Sequence, residues 1–220
     1  MSLQFDGVDD IVTLPSIPGS QRFSIFAWVA PTTLGEGGEG VVLAHGATVT
    51  PRIMFGMDSI DRIKLEAQNS ANRGKWCTAN STIVLNTWQS IGVSHDGSVG
   101  SGQLPTLYID GAVSTRTIIS NATQPMSSDA QIGYVGNVSS LSRTFKGNIG
   151  ELALWNRLLS AMDFAAIHNL GVNAVPDHVL YLPFDWVNVA QDLGPSRYLV
   201  TVTGATTGGN PYIRPAGRRG

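Results

Sequence analysis

Carboxylates are the side chains of this sequence with the clearest potential for catalysis. Glycoside hydrolysis needs two of them roughly 5 Å apart, and in a β-strand such a pair stands at positions i and i+2 or i+4 on one face. Asp9 and Asp10 are adjacent and would point to opposite faces, whereas Glu151 is followed by three apolar residues. Asp58 and Asp61 lie in a stretch typical of a turn. The sequence therefore predicts no enzyme and no catalytic residues, and a glycoside hydrolase is the least favoured function.

Motifs for metal binding, nucleophilic catalysis and phosphate binding are also absent or weak in this sequence. The four histidines show no metal-ligand spacing, and no G-x-S-x-G motif is present for a serine nucleophile. Residues 35–40 match G-x-G-x-x-G, but they lead into an apolar strand rather than a helix, and their two glutamates would repel a phosphate. Cys77 is the only cysteine, which excludes an internal disulfide. We therefore expect a protein that binds rather than catalyses.

Charge and composition narrow the range of partners. The chain has 220 residues, a formal net charge of −2 and only 14% charged residues, against about a quarter in a typical domain. This balance argues against nucleic acid as a partner, and the lack of a run of about eighteen apolar residues argues against a membrane span. No basic and apolar leader precedes Asp6, so the sequence predicts no secretory signal.

The sequence predicts that these side chains are positioned by short strands separated by turn residues. This pattern is typical of a β-sandwich. In residues 23–29, Phe23, Ile25, Ala27 and Val29 share one face while Phe26 and Trp28 load the other, which predicts a strand covered on both sides. Further predicted strands are 41–44, 53–57, 62–67, 81–85, 90–95, 107–109, 115–119, 131–134, 152–155, 179–184 and 199–202.

Turns and one helix complete the predicted elements. Asp96-Gly97 and Asp110-Gly111 carry the dipeptide that favours tight hairpin turns. Ser160 and Asp163 form a short capping box at the start of a predicted helix over 161–170. Apolar residues at 164, 167 and 170 lie on one side of that helix. We expect a small helix that plugs one end of the sandwich.

Blocks of this sequence resemble laminin-G-like jelly rolls of the concanavalin A-like lectin/glucanase superfamily. The blocks, in order, are 3–12 (LQFDGVDDIV), 23–29 (FSIFAWV), 88–97 (WQSIGVSHDG), 107–111 (LYIDG) and 145–160 (FKGNIGELALWNRLLS). The resemblance implies an all-β jelly-roll β-sandwich of two antiparallel sheets, each of about six or seven strands, with one short capping helix near 160–170.

The C-terminal part resembles a strand pair that many relatives place before the acidic opening. Here 180–185, 192–196 and 202–205 carry it, an arrangement similar to that of phage and environmental members. We expect these strands to join the sheet edge nearest the N-terminal strand, or else a neighbouring subunit. The sequence thus predicts a single domain over 1–210, which includes the strands of 179–203, and a flexible basic tail over 211–220.

Calcium is the cofactor that the resemblance implies, since relatives often hold it between the acidic opening turn and the closing strand. Asp6, Asp9, Asp10 and Glu151 are the matching candidate ligands. The chain departs from the family at Gly150, where relatives often carry an aspartate. The alternative is that Asp6 and Asp9 only cap the turn by accepting amide hydrogens.

Glycan binding is what the implied fold most often serves, although a fold does not fix a function. A sugar site needs an exposed aromatic platform with amides around it. Trp76 with Asn80 is one candidate carbohydrate-binding pair, and Trp186 with Asn188 is another. In each case the alternative is a tryptophan that packs in the core.

The favoured function is a non-catalytic surface protein of a phage virion, in the capsid decoration or the tail, with glycan adhesion. A lectin-like carbohydrate-binding module is the alternative. The predicted setting is the virion surface, with an extracellular or cytoplasmic protein as alternatives. Its expected partners are other copies of itself, other virion proteins and cell-surface glycans; Arg214, Arg218 and Arg219 of the tail are candidate partner-binding residues, or else belong to a frayed end.

Overall fold

A computed structural model describes residues 2–46, 52–68, 73–100, 102–126, 128, 130–184 and 191–208. Within these residues, strands dominate and the only α-helix is α1 (Ala161–Leu170). The strands are β1 (Ser2–Asp6), β2 (Ile11–Ile17), β3 (Arg22–Pro31), β4 (Val41–His45), β5 (Ile53–Met57), β6 (Ile63–Gln68), β7 (Arg73–Thr78), β8 (Gln89–Asp96), β9 (Thr106–Ile109), β10 (Ala112–Ser114), β11 (Arg116–Ser120), β12 (Gln131–Val135), β13 (Lys146–Trp155), β14 (Leu180–Leu182), β15 (Thr201–Thr203) and β16 (Thr206–Gly208).

Two antiparallel sheets form the predicted sandwich. The first sheet has the order β10-β9-β8-β3-β13-β1-β16, with β14 paired to the second half of β13. The second sheet has the order β11-β7-β6-β5-β4-β12-β2-β15. Each sheet has eight strands, slightly more than the six or seven expected. The main core lies between the two sheets and takes one residue in two from most strands.

Strand β3 explains why the first sheet is buried on both faces. Phe23, Ile25 and Ala27 point into the main core, as the alternation predicts. Phe26 and Trp28 point to the outer face, where they join a second apolar cluster. The prediction of a strand covered on both sides is therefore confirmed.

Helix α1 is what covers that outer face. Ser160 accepts the Asp163 amide and Asp163 accepts the Ser160 amide, so the predicted capping box is present. Phe164 and Ile167 are fully buried in the second cluster. Leu170, which the spacing places on the same side of the helix, lies in the last turn and is exposed. The helix also packs on the outer face of the sheet rather than plugging an end of the sandwich.

No helix in the described part of the chain is long and apolar enough to span a bilayer.

The predicted turns are confirmed in one case only. Asp110 and Gly111 have φ values of 50° and 75° and form the tight turn between β9 and β10. Gly97 instead donates its amide to the Gln21 carbonyl, and the next strand begins only at Thr106. Residues 81–85, predicted as a strand, form no strand.

The C-terminal strands return to the N-terminal edge of the molecule, as predicted. Strand β15 pairs with β2, and β16 pairs with β1. The segment at Leu180–Leu182 pairs with β13 instead. The chain therefore closes both sheets near its own beginning.

Candidate functional site

The acidic turn between β1 and β2 brings three of the predicted calcium ligands together. Ligand oxygens of Asp6, Asp9 and Asp10 all lie within 4.8 Å of one another. Asp10 accepts the Asp6 amide at 2.6 Å, and Asp6 accepts the Val8 amide at 2.7 Å. Asp10 is buried against Gly204, in the turn between β15 and β16, while Asp6 and Asp9 are exposed.

Electrostatics make this turn receptive to a cation. Burial raises the pKa of Asp10, and the like charges of Asp6 and Asp9 act in the same direction, although the Asp6 amide opposes them. Among the described residues no lysine or arginine forms an ion pair with the three carboxylates. Carboxylate oxygens are what Ca²⁺ prefers, so these residues fit the ion. The same hydrogen bonds also fit the simpler capping role.

Glu151, the fourth predicted ligand, does not join this group. Asp6 pairs with Lys146 on β13, and Glu151 lies five residues further along, roughly 16 Å at the rise of a strand. Glu151 lies within a bulge of β13, between Ile149 and Leu152. Glu151 is 1% exposed and accepts the hydroxyl of Tyr181 at 2.9 Å. The local resemblance could not reveal this burial because Tyr181 comes from β14.

Trp76 is not the exposed platform that the sequence suggested. Its side chain is fully buried in the main core, with its ring centroid 5.1 Å from that of His95. Alternation in β7 turns Trp76 inward, and the ring lies over Gly74, where a Cβ would collide with it. Asn80 is exposed in the turn after β7. The pair therefore cannot form one sugar site, and the packing alternative is correct for Trp76.

The remaining predicted residues lie outside the described part of the chain. These are Trp186 and Asn188 of the second carbohydrate-binding pair and Arg214, Arg218 and Arg219 of the tail.

Sequence reasoning missed a site on the outer face of the second sheet. We call the outward side chains of Arg52, Lys64, Glu66, Arg73 and Lys75, on and next to β5–β7, the charged face. Register places Glu66 between Met54 of β5 and Lys75 of β7. Their inward neighbours belong to the main core, so alternation directs these side chains away from it.

Glu66 is the centre of the charged face. Its side chain is 2% exposed, and Arg73 Nη1 donates to Glu66 Oε2 at 2.6 Å. Glu66 Oε1 lies 3.1 Å from Lys64 Nζ and 3.3 Å from Lys75 Nζ. Burial alone would raise the pKa of Glu66, but Lys64, Lys75 and Arg73 together hold it below its ordinary value. Glu66 is thus ionised and fixed among three cations.

Two loops, one before β4 and one after β12, extend this network over the sheet. Glu39 accepts from Lys64 Nζ at 2.5 Å and also pairs with Arg143 of the loop after β12. In the same loop, Val138 packs on Met54 and its neighbours. The signal was present in the sequence as charges at alternate positions of 64–66 and 73–75, but only the register of β6 and β7 shows that they meet.

A second polar surface lies at the start of β3. A depression of about 440 Å³ is lined by hydroxyl and amide side chains, including those of Ser20, Gln21, Ser98 and Asn156. Arg22, also in its lining, forms an exposed 3.0 Å ion pair with Asp96. Such a surface can hydrogen-bond a neutral ligand but offers no excess charge.

A known family model matches most of the chain. Residues 6–164 match the laminin G-like family described as the Concanavalin A-like lectin/glucanases superfamily. No curated protein sequence matches the chain significantly.

Solved structures share the fold at low identity. A native heptameric SAP-like pentraxin from Limulus polyphemus is 13% identical, with 78% of this chain and 83% of that chain covered and a TM-score of 0.61. A proposed carbohydrate-binding protein from Bacteroides ovatus is 14% identical over 93% of this chain, which spans only 58% of that one, with a TM-score of 0.65. The CBM40 of a Ruminococcus gnavus IT-sialidase, bound to alpha2,3 sialyllactose, is 10% identical. The match covers 68% of this chain and 84% of that chain, with a TM-score of 0.54. At these identities the likeness establishes the fold alone.

Proposed function

Because the chain belongs to the concanavalin A-like lectin/glucanase superfamily, we propose that it is a non-catalytic, lectin-like glycan-binding module. The structures from Bacteroides ovatus and Ruminococcus gnavus, one a proposed carbohydrate-binding protein and the other bound to a sialyllactose, support this choice. A binding role takes precedence over the virion role that the sequence favoured, since the comparisons give the virion setting no support.

The contrast between the two outer faces carries the proposal. Helix α1 and its aromatic cluster seal the outer face of the first sheet. The outer face of the second sheet instead holds a carboxylate, three cations that form ion pairs with it and the amide of Gln68, which accepts from Arg73 at 2.8 Å. Fixed donors and acceptors at the edge of solvent are what a sugar hydroxyl needs for recognition.

A non-catalytic role agrees with how the carboxylates are used. Glu66 and Glu39 are both bound to cations, so they act as acceptors. Asp6 and Asp10 each commit an oxygen to a backbone amide. These arrangements hold charge in place and do not pair a proton donor with a nucleophile.

A glycan array followed by calorimetry tests the proposal. We expect binding to at least one oligosaccharide, without release of a shortened product. Gln68→Ala should weaken that binding about tenfold, the cost of one hydrogen bond in a charged network. The matched control Asn156→Ala, in the polar depression, should leave it unchanged. The reverse result would move the site to the depression, and a chain that binds no glycan would refute the proposal.

A further inference from the structure

Positive charge is concentrated on the charged face. Among the described residues, Lys64, Arg73 and Lys75 surround Glu66 as the one carboxylate paired with all three, and the loop pair of Glu39 with Arg143 adds one charge of each sign. The chain as a whole has a net charge of −2. The face is therefore cationic on a molecule that is acidic overall.

Glu66 cannot compensate this surplus. Its Oε2 is taken by Arg73, and its Oε1 is shared by Lys64 and Lys75 at 3.1 and 3.3 Å without the geometry of a hydrogen bond. Lys64, whose side chain is only 7% exposed, also donates to Glu39 at 2.5 Å, but Glu39 is itself shared with Arg143. Two carboxylates therefore serve four cations, and water screens the buried charges poorly. Like charges held together out of water destabilise a fold unless a further anion joins them.

Lys75 is the cation best placed to meet that anion. Its side chain is 37% exposed, and an ammonium has three donors, of which the long contact with Glu66 engages one at most. Arg73, by contrast, uses both ends of its fork on Glu66 and Gln68. Lys75 can therefore bind a ligand without dismantling the network that supports it.

We infer that the charged face binds the acidic group of a sugar, either a carboxylate or a sulfate ester. The inference rests on the proposed glycan-binding function and adds the chemical class of the ligand. An anionic group of this kind forms charge-assisted hydrogen bonds with ammonium donors and compensates the surplus of cations. A neutral sugar would leave that surplus in place.

Three related ligands test the inference by calorimetry: lactose, 3′-sialyllactose and lactose 3′-sulfate. We expect at least one of the two acidic ligands to bind ten times more tightly than lactose in dilute buffer, with most of that advantage lost in 1 M NaCl. The acidic ligand with the lower Kd identifies the carboxylate or the sulfate as the recognised group. Equal affinity for lactose and both acidic ligands would overturn the inference and leave the proposed function intact, whereas no binding to any glycan would overturn both.

Variants locate the acidic group. Lys75→Gln should remove at least five-fold of the affinity for the acidic ligand, and Lys75→Arg should restore most of it. Arg197→Gln is the matched control, since it deletes one exposed positive charge in the turn before β15, at the opposite edge of the second sheet. Equal losses in Lys75→Gln and Arg197→Gln would show a general charge effect and overturn the assignment. The melting temperature of each variant verifies that it is folded.

Discussion

At the residue scale, the acidic turn is where one type of side chain serves two alternative roles. Asp6 and Asp10 accept backbone amides, which satisfies a capping role. Three carboxylates within 4.8 Å also repel one another, and burial raises the pKa of Asp10 still further. A bound cation would relieve that repulsion, so we propose that the turn binds calcium.

Thermal unfolding after chelation tests the calcium proposal. We expect Ca²⁺ at a hundredfold excess over Kd to stabilise the fold by ~2.7 kcal/mol, which raises Tm by about 5 °C or more in a chain of this size. Asp10→Asn should abolish the shift, because it removes a charged ligand while keeping an acceptor for the Asp6 amide. The control Asp61→Asn, outside the cluster, should retain it. If wild-type Tm does not respond to Ca²⁺, the capping role is sufficient.

At the element scale, the helix shows how a local signal predicts a structure but not its position. The capping box at Ser160 and the spacing of Phe164 and Ile167 were legible because they involve neighbours in sequence. The docking of α1 depends on Gly92 of β8, where a Cβ would collide with the Phe164 ring. That contact joins residues far apart in the chain, so the sequence alone suggested the wrong place for the helix.

Removal of the cap measures how much α1 contributes. Ser160→Ala deletes the acceptor for the Asp163 amide and should cost ~1 kcal/mol, seen as a Tm lower by about 2–4 °C. Because α1 seals the aromatic cluster, the loss should appear in global unfolding rather than only as fraying. Ser196→Ala, at an exposed turn position, is the control. Equal Tm values for the two variants would contradict this role of the cap.

At the scale of the whole molecule, His95 connects the two sheets. It lies on β8 of the first sheet, with its ring 5.4 Å from Phe23 and 5.1 Å from Trp76 of the second sheet. Burial lowers the pKa of His95 to about 4, although the nearby side chain of Gln103 and the charge of Asp96 oppose the shift. Protonation of this ring therefore acts on the packing between the sheets.

The sign of the pH effect follows from that pKa. The pKa of His95 in the folded protein lies below the value of 6.5 for a free histidine. The stability that depends on a neutral His95 ring is therefore fully present above pH 6.5 and is lost as the pH falls towards 4. The expected loss approaches ~3 kcal/mol for this one group. Urea unfolding gives the free energy of unfolding at pH 7.5 and at pH 4.5. Its decrease between these two pH values should be smaller by about 2–3 kcal/mol in His95→Phe than in the wild type.

An NMR titration of His95 in the wild type checks the same claim without a variant. A pKa near 6.5 for its ring would contradict it.

The setting of the molecule stays a prediction. Binding to purified virions tests the virion surface, and sedimentation tests self-association; neither follows from the sandwich itself, since a fold does not fix a function.

The sequence by itself determined what depends on near neighbours. The alternation around Phe26 and Trp28, the tight turn at Asp110 and the helix cap at Ser160 are all signals within a few residues. They were sufficient for the all-β class, and the sequence blocks that resemble the laminin-G-like family are equally short. Strand periods and caps are local because backbone geometry repeats over short distances.

Only the tertiary structure decided which side chains meet. A bulge in β13 and the arrival of Tyr181 from β14 separated Glu151 from the acidic turn. The pairing of β6 with β7 placed Lys75 beside Glu66 and created the charged face. Register and burial are set by packing between distant segments, so the sites of this protein depend on contacts that no short stretch of its sequence records.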